Sequence, residues 1–297
     1  MYLRFLRGRL VLVGMVVALT AAPASAKPIL HHVHGLAFTP DGRALLVPAH
    51  IGLAVYRNGR WSSAPGPAHD FMGFSVAKNA IYTSGHPAPG SPLRNPFGLM
   101  KSLDGGKTWK QLSLYGEADF HDIAAGYRTN VVYVISSGAN SQMPEAGFYY
   151  TRNEGETWKR SELGGIISPI TGIAAHPDDP RTVAASTFGG LYLSRDFGKR
   201  FRRIGPARAV TAVSFDPDAK HLLFASEDVS ALARITLDGQ SDQSLKLPAL
   251  ASDVVTYIAQ NPANRKEIAI ASRMRTVFLS EDAGKNWKQI VRGGEGN

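Results

Sequence analysis

The feature that most constrains the fold of this chain is an octapeptide that recurs along it. SLDGGKTW at Ser102–Trp109 returns as SEDAGKNW at Ser280–Trp287, and both fit the pattern S-x-D-x-G-x-x-W. SRDFGKRF at Ser194–Phe201 ends in phenylalanine, and TRNEGETW at Thr151–Trp158 carries threonine and asparagine at its first and third positions. The copies recur at intervals of about 43–49 residues, with one position held by a weaker copy. Such a period is typical of repeat folds in which every repeat contributes one structural unit.

The chemistry of the octapeptide is that of a tight turn between two strands. A side-chain oxygen at the third position can accept hydrogen bonds from backbone N–H groups, and glycine at the fifth allows a positive φ. The aromatic ring can pack beneath the turn. Weaker copies at Tyr56–Trp61 and Ile235–Gln240 raise the number of repeats to six. The residues that we assign to these structural roles are Ser102, Asp104, Gly106, Trp109, Asn153, Gly155, Trp158, Asp196, Gly198, Asp282, Gly284 and Trp287.

Each repeat also contains four short apolar or alternating segments separated by turn residues, which predicts four strands. The first repeat, for example, contains HGLAF, ALLVPA, GLAVYR and WSSAP. No segment has a helical period. Six such units over residues 27–297 predict an all-β fold, a single six-bladed β-propeller of four-stranded antiparallel blades. Because each blade is expected to run from its innermost to its outermost strand without sharing strands, we expect ring closure to rest on packing between blade faces alone.

The octapeptides resemble the Asp-box (BNR) repeat, whose families are β-propellers. The HVHGL segment, together with the later DFMGF, SGHP and ADFH segments, resembles bacterial exported propellers labelled as sialidase-like glycosylhydrolases. The resemblance implies the propeller fold and a glycosidase activity. The sialidase arginines do not carry over, because the early channel positions hold His34 and Met72, and the nearest candidates, Arg273 and Arg275, lack evident partners. The resemblance therefore supports the fold more than the chemistry.

The first 26 residues have the three parts of an export signal. Three arginines precede an apolar run at Leu10–Ala22, and Ala24–Ala26 offers a small-residue cleavage site. Cleavage there predicts a periplasmic or secreted protein with no stable membrane span. It also removes three of the 33 basic residues, which leaves 30 against 24 acidic ones and reduces the net charge from +9 to +6. We therefore expect no nucleic-acid partner.

The distribution of histidine points to one face of the propeller. The chain has no cysteine and nine histidines, so a soft-metal site is limited to histidine and methionine with carboxylates. Seven histidines fall in the first three repeats, at the starts of innermost strands or in loops between second and third strands: His31, His32, His34, His50, His69, His86 and His121. Both kinds of segment return to the same face of a propeller. The repeat register therefore predicts that these residues meet around one channel mouth.

We predict a transition-metal site at this mouth, with copper as the favoured ion and zinc as the alternative. The expected ligands are His32, His34, His50, Met72, His86 and His121. Imidazole binds both metals, and thioether sulfur favours Cu(I). Asp70 and Asp119 would orient the imidazoles as hydrogen-bond partners. The expected role is metal handling in the cell envelope, and a redox reaction at the metal stays open.

Other functions remain open from the sequence alone. A histidine-rich pocket could bind an organic ligand or perform catalysis without metal. A glycosidase or sialidase-like hydrolase would use Asp70 and Asp119 as its paired carboxylates. A propeller can also act as an interaction scaffold for an envelope protein. The proline-rich segment Ser84–Gly98 and the SSGANSQMPEAG loop lengthen the same face, which favours that face as the working surface in each case.

Overall fold

The computed structural model describes residues 29–227, 231–250 and 252–296. The predicted export signal at residues 1–26 lies outside the described residues. The strands of this part of the chain form six antiparallel sheets. In the described ranges there is no helix long and apolar enough to cross a membrane.

The first three sheets follow one another along the chain, each with four strands. The first contains β1 (Ala37–Phe38), β2 (Leu45–Ala49), β3 (Gly52–Arg57) and β4 (Arg60–Ser63). The second contains β5 (Asp70–Ala77), β6 (Ala80–His86), β7 (Leu99–Ser102) and β8 (Lys110–Ser113). The third contains β9 (Ile123–Ala125), β10 (Val132–Ser136), β11 (Gly147–Thr151) and β12 (Lys159–Ser161).

The last three sheets repeat this order, and the sixth carries one additional strand. The fourth contains β13 (Ile170–Ala175), β14 (Val183–Thr187), β15 (Gly190–Ser194) and β16 (Arg202–Arg203). The fifth contains β17 (Val210–Phe215), β18 (His221–Ser226), β19 (Ala231–Thr236) and β20 (Ser241–Lys246). The sixth contains β21 (Val255–Gln260), β22 (Ile268–Ser272), β23 (Val277–Ser280), β24 (Lys288–Arg292) and β25 (Glu295–Gly296).

The six sheets are the blades of a closed ring. The innermost strands contact one another in the order β1, β5, β9, β13, β17, β21, and β21 returns to β1. Middle strands such as β2, β14 and β22 are buried throughout because a neighbouring blade covers each face. The outermost strands β4 and β12 are mostly exposed. The prediction of a six-bladed propeller is confirmed.

The repeated octapeptide forms the turn between the third and fourth strands of a blade. Ser102 Oγ donates to Asp104 Oδ1 at 2.8 Å and accepts the Gly106 N–H at 2.8 Å. The same Asp104 oxygen accepts the Thr108 N–H at 2.9 Å. The other three copies repeat this arrangement with Thr151, Asn153, Gly155; Ser194, Asp196, Gly198; and Ser280, Asp282, Gly284. The fifth-position glycines have φ between 80° and 90°, a region in which other residues are strained.

The aromatic residue that ends each turn packs against the preceding blade. The indole N–H of Trp158 donates to Ser113 Oγ in β8, and that of Trp287 donates to the Lys246 carbonyl in β20. Phe201 takes the same place with its ring 6.3 Å from that of Phe148. Each turn therefore both shapes its own blade and joins it to the one before.

Ring closure differs from the sequence expectation that packing alone would suffice. Ile29 forms an antiparallel bridge with Glu295 of β25, and the Leu30 N–H donates to the Gly294 carbonyl at 2.6 Å. Trp61 of the first blade donates to the Ile290 carbonyl of the sixth at 3.0 Å. Main-chain hydrogen bonds and an indole thus join the two ends of the described chain, in addition to the packed faces.

Candidate functional site

The upper face of the propeller is the side that carries the beginnings of the innermost strands and the loops between second and third strands. Inside the ring, a channel with a volume of about 370 Å³ runs between the innermost strands. His34 and His121 line it, together with Asp122 and Tyr257. The predicted histidine positions lie on this face.

Residues before β1 stay out of the sheet for a local reason. Pro48 in β2 lies where the ladder would continue past Ala37, and proline has no N–H to donate. Its carbonyl still accepts the His34 N–H at 3.2 Å. The segment with His32 and His34 is therefore held against β2 without being extended along it, beside the β2–β3 turn that carries His50.

Three imidazoles converge in this corner of the upper face. His32, His34 and His50 each offer a ring nitrogen, and these nitrogens lie within 4.8 Å of one another. The ring centroid of His50 is 4.4 Å from that of His32 and 4.9 Å from that of His34. One ion could reach all three nitrogens after small side-chain adjustments.

His34 is the most enclosed of the three. Its Nε2 atom is buried and has no hydrogen-bond partner among the described residues. Burial, followed by the charge of His50, lowers the pKa of His34 to about 4. The ring is therefore neutral at physiological pH, which is the form that binds metals.

Asp70 lies behind His50. Its Oδ1 is 2.7 Å from His50 Nδ1, close enough for an ion pair although the alignment is not that of a regular hydrogen bond. A proton on Nδ1 facing this carboxylate leaves Nε2 as the free acceptor of His50. The predicted orienting role of Asp70 is consistent with this contact.

The other two predicted histidines form a neighbouring group with Asp119. Asp119 Oδ2 lies 2.8 Å from His121 Nε2 and 3.3 Å from His86 Nε2. The second ring nitrogen of His86, Nδ1, is 2.6 Å from Asn95 Oδ1 in the proline-rich loop. The sequence predicted a single cluster; the structure arranges its histidines in two adjacent groups.

The methionines and the other histidines of this face do not join either histidine group. Met72 is 6% exposed in β5 and is not among the described residues that line the channel. Met143 is fully buried in the core between the second and third blades. His69 is buried and accepts the Ala88 N–H, which anchors the proline-rich loop, and burial lowers the pKa of His69. The exposed His31 uses its carbonyl to accept from Arg275.

Blades four to six carry threonine at the corresponding register position. The Thr171 hydroxyl donates to the Val210 carbonyl at 2.6 Å, and Thr211 and Thr256 donate to carbonyls of their own blades. In all three blades a register shift in the ladder occurs at this threonine. These residues therefore stabilise an irregular strand, whereas the first and third blades place imidazoles there.

Sequence reasoning missed two groups of titratable residues. Asp122 lies in the channel next to His121, and burial raises the pKa of Asp122 and raises that of Tyr257 to about 12. The signal for Asp122 was its place directly after His121, at the beginning of an innermost strand.

The second missed group lies on the opposite, lower face. Asp216, Asp218 and His221 offer three ligand atoms within 4.8 Å of one another, and the spacing D-x-D-x-x-H was its signal. Arg234 contacts Asp216 at 3.1 Å and Asp218 at 2.8 Å, and Arg265 contacts Asp218 at 3.0 Å. The guanidinium groups of Arg234 and Arg265 therefore already compensate the negative charge of these carboxylates.

Exposed apolar side chains add a second property to the upper face. Five large ones lie in its loops: Ile51, Leu93, Ile167, Phe188 and Met274. They come from blades one, two, four and six and from the connection between blades three and four. They are distributed among the loops of one face, whereas a contiguous apolar patch is what is typical of an interaction site.

Fold and site together define an Asp-box β-propeller with a histidine-rich, partly apolar upper face. The profile of the family described as photosynthesis system II assembly factor YCF48 matches residues 88–295. The match covers more than half of the chain, and the chain belongs to this family. The resemblance to Asp-box propellers is confirmed.

Known proteins with a similar sequence or fold include xyloglucanases and YCF48. A xyloglucanase of Hypocrea jecorina (strain QM6a) is 25% identical over 166 residues, which are 54% of this chain and 19% of that protein. The GH74 xyloglucanase from Xanthomonas campestris superposes with a TM-score of 0.57 at 16% identity, over 90% of this chain and 46% of that one. A structure of YCF48 bound to D1 peptide superposes with a TM-score of 0.50 at 17% identity, over 90% and 83%.

These similarities are informative about the fold. The chain spans about a fifth of the length of the curated xyloglucanase and just under half of the GH74 structure. Both structural matches lie well below 25% identity, so they show a common propeller architecture and not a common active site.

Proposed function

We propose that this protein binds a divalent transition metal ion through His32, His34 and His50 at the upper mouth of its channel. The observation that supports this most is the convergence of three ring nitrogens within 4.8 Å, one of which is a buried Nε2 without a hydrogen-bond partner among the described residues. A buried polar atom without a partner costs about 1–3 kcal/mol. Coordination of an ion by His34 would remove that cost.

Copper is our first candidate ion and zinc the alternative. Three imidazoles leave at least one coordination position open, as in three-histidine zinc sites. At nitrogen ligands, divalent copper generally binds more tightly than zinc. Because Met72 does not line the channel, we expect an imidazole site rather than the mixed imidazole and thioether site predicted from the sequence. With the predicted export signal, the role that we propose is metal handling in the cell envelope.

The test is a titration of the purified, metal-free protein with Cu²⁺ and with Zn²⁺ by calorimetry. His34→Ala should weaken binding at this site at least tenfold. His31→Ala is the matched control, because His31 is an exposed neighbour that lies outside the cluster. Equal affinities of the wild type and His34→Ala for both ions would contradict the proposal.

A second candidate function is that of a scaffold for a protein or peptide partner. It is favoured by the five exposed apolar side chains of the upper face and by the similarity to YCF48, which was solved with D1 peptide. A photo-crosslinking residue at Phe188 should capture a partner or a synthetic D1 peptide. The same residue at Leu103, exposed in the turn at the other end of a blade, should not. Equal capture from both positions would argue against a specific surface.

A third candidate function is that of a glycoside hydrolase, which is based on Asp70 and Asp119 and on the similarity to xyloglucanases. Each carboxylate contacts imidazoles, Asp70 that of His50 and Asp119 those of His86 and His121. A glycosidase would release sugar from xyloglucan or a fluorogenic glycoside in the presence of a chelator, and Asp70→Asn would abolish that release. Because both acids face histidine, we rank this function below the first two.

A further inference from the structure

We infer that the interior of the channel binds an elongated organic cation, of the class of linear aliphatic diamines, with one ammonium group paired with Asp122. The inference goes beyond the proposed metal site and does not depend on it, because it uses none of the three imidazoles of that site. Three properties of the channel support it: its size, the charge of its lining and the kind of hydrogen-bonding group at its two ends.

The size of the channel is that of a small-molecule site. Its volume of about 370 Å³ lies within the range of about 300–1,000 Å³ that is usual for ligand pockets. Aliphatic side chains of the innermost strands, such as Ile173 and Val213, are part of its lining. A short hydrocarbon chain can therefore pass through the middle of the channel in apolar contact.

The charge of the lining is negative. Among the described residues that line the channel, Asp122 is the only carboxylate, and there is no lysine or arginine. Of the two imidazoles in the lining, His34 is neutral at physiological pH, and His121 has its Nε2 atom 2.8 Å from Asp119. No cation of the channel lining is therefore dedicated to Asp122. A cleft lined by charge of one sign favours a ligand of the opposite sign, which here is a cation.

The side chains at the upper end of the channel are mainly acceptors. Asp122 directly precedes β9, and its charge acts on the nearby phenol of Tyr257. The hydroxyls of Thr171, Thr211 and Thr256 donate their protons to backbone carbonyls, so they offer a ligand lone pairs only. An ammonium group has three donors and no acceptor, which matches this set of groups.

The lower end of the channel has the same property. The Oε1 atom of Gln260 is buried and has no hydrogen-bond partner among the described residues, whereas its Nε2 donates to the Arg265 carbonyl at 2.7 Å. Pro177, Pro217 and Pro262 line the channel just after β13, β17 and β21, and proline has no N–H to donate. A second donor group on the ligand would supply the partner that Gln260 Oε1 lacks.

Tyr257 and Gln260 indicate the spacing between the two ends. Both belong to β21, and three residues correspond to about 10 Å along a strand. Because Tyr257 lies near Asp122, a ligand that reaches both Asp122 and Gln260 needs donors at the two ends of a chain of several carbon atoms. A linear diamine meets this requirement, whereas a metal ion or a single ammonium group reaches only one of the two acceptors.

The experiment titrates the metal-free, full-length protein with hexamethylenediamine by calorimetry. Hexanediol and adipate, which have the same number of carbon atoms but neutral or anionic ends, should bind at least tenfold more weakly than the diamine. Asp122→Asn preserves the volume of the side chain and removes the charge that pairs with the ammonium group, so it should weaken the diamine at least tenfold. Glu281→Gln is the matched control, because it removes a carboxylate from an exposed position outside the channel.

A second variant tests the lower end of the channel. Gln260→Met removes the acceptor and keeps the length of the side chain. It should weaken hexamethylenediamine severalfold and leave the affinity for hexylamine unchanged, because the monoamine needs only Asp122. Thermal unfolding checks that each variant is folded. If Asp122→Asn does not fold, the preference for the diamine over hexanediol and adipate and the effect of Gln260→Met decide the question.

The outcomes separate this inference from the proposed function. No binding of the diamine by the wild type, or equal binding of the diamine, hexanediol and adipate, would overturn the inference. An unchanged affinity of folded Asp122→Asn for the diamine would overturn it as well. Because the diamine is titrated without metal, a failure of Cu²⁺ binding at the three-histidine cluster leaves the result intact, and a failure of diamine binding leaves the metal site intact.

Discussion

The environment of His34 gives one side chain two properties that matter for metal binding. It keeps the imidazole neutral, because burial and then His50 lower its pKa to about 4, and it leaves Nε2 without a partner among the described residues. A surface histidine would be neutral too at high pH, but it would lose its metal to protons near its ordinary pKa of about 6.5. His34 remains a competent ligand well below that pH.

The lowered pKa of His34 predicts a pH dependence of folding in the metal-free protein. Between pH 6.5 and about 4 the unfolded imidazole binds a proton that the folded one does not. Stability from this residue is therefore complete above pH 6.5 and decreases as the pH falls through this range. Urea unfolding in the presence of a chelator should show a larger loss of stability from pH 7 to 4.5 for the wild type than for His34→Ala. Parallel curves would contradict the assignment.

Asp70 provides a second prediction at the scale of single residues. If it orients His50, Asp70→Asn should weaken Cu²⁺ binding about 10–100-fold, as the loss of a carboxylate partner of a metal-binding histidine typically does. Calorimetry measures the effect, with His31→Ala as the reference. An unchanged affinity would show that the contact between Asp70 and His50 has no part in binding.

At the scale of the element, the Asp-box turn is a small network built on one buried hydroxyl. Ser102 Oγ both donates to Asp104 and accepts from the Gly106 N–H. Hydrogen bonds, first from Thr108, lower the pKa of Asp104 to about 2. The carboxylate therefore contributes to stability above its unfolded pKa, and this contribution is lost as the pH falls from 3.8 towards 2.

Ser102→Ala should destabilise the protein by about 1–3 kcal/mol, because it leaves the buried Gly106 N–H without an acceptor. Leu103→Ala, at an exposed position of the same turn, should change stability by less than about 0.5 kcal/mol. Chemical denaturation of both variants tests this. Similar values for the two would mean that the network contributes little.

Much of the fold could be predicted because the elements are local and repeated. The alternation of apolar segments and turns predicts the six blades, and the octapeptide predicts the turn geometry. The shortness of β1 was less predictable. It arises because Pro48 in the facing strand β2 ends the hydrogen-bond ladder between the two strands. The additional strand β25 and its bridge to Ile29 depend on contacts between the chain ends, which no local pattern reports.

The repeat register allowed us to predict which residues of the candidate site share one face of the propeller. The register brings His32, His34 and His50 to one face, and the structure places their rings in contact. It does not specify side-chain directions, so the separation of His86 and His121 into a group around Asp119 could not be read from the sequence. For the same reason, the sequence could not show that the side chain of Met72 lies away from the channel.

At the scale of the whole molecule, the two faces of the ring differ in how they are bound together. On the lower face, loops of successive blades are joined by side chains: Arg128 pairs with Asp178, and His176 Nε2 donates to the Ala219 carbonyl at 2.9 Å. Asn261 donates to the Gly42 carbonyl and joins the sixth blade to the first. The upper face instead carries the imidazole groups and exposed apolar side chains, which favours it as the working surface.

Ring closure predicts different effects for two similar substitutions. Trp61→Phe removes the indole donor to the Ile290 carbonyl across the closure and should cost about 1 kcal/mol. Trp109→Phe removes a buried indole N–H that has no partner among the described residues, so it should be neutral or slightly stabilising. Thermal unfolding compares them. No loss of stability in Trp61→Phe would mean that the indole contact at the closure does not stabilise the ring.

The central claim is that three histidines of the first blade bind one ion. Crystals grown with Cu²⁺ or Zn²⁺ and measured at the absorption edge of the metal test it most directly. The claim predicts an anomalous peak about 2.0–2.1 Å from one nitrogen each of His32, His34 and His50. A fully occupied peak elsewhere on the protein, with no density among these three imidazoles, would contradict it.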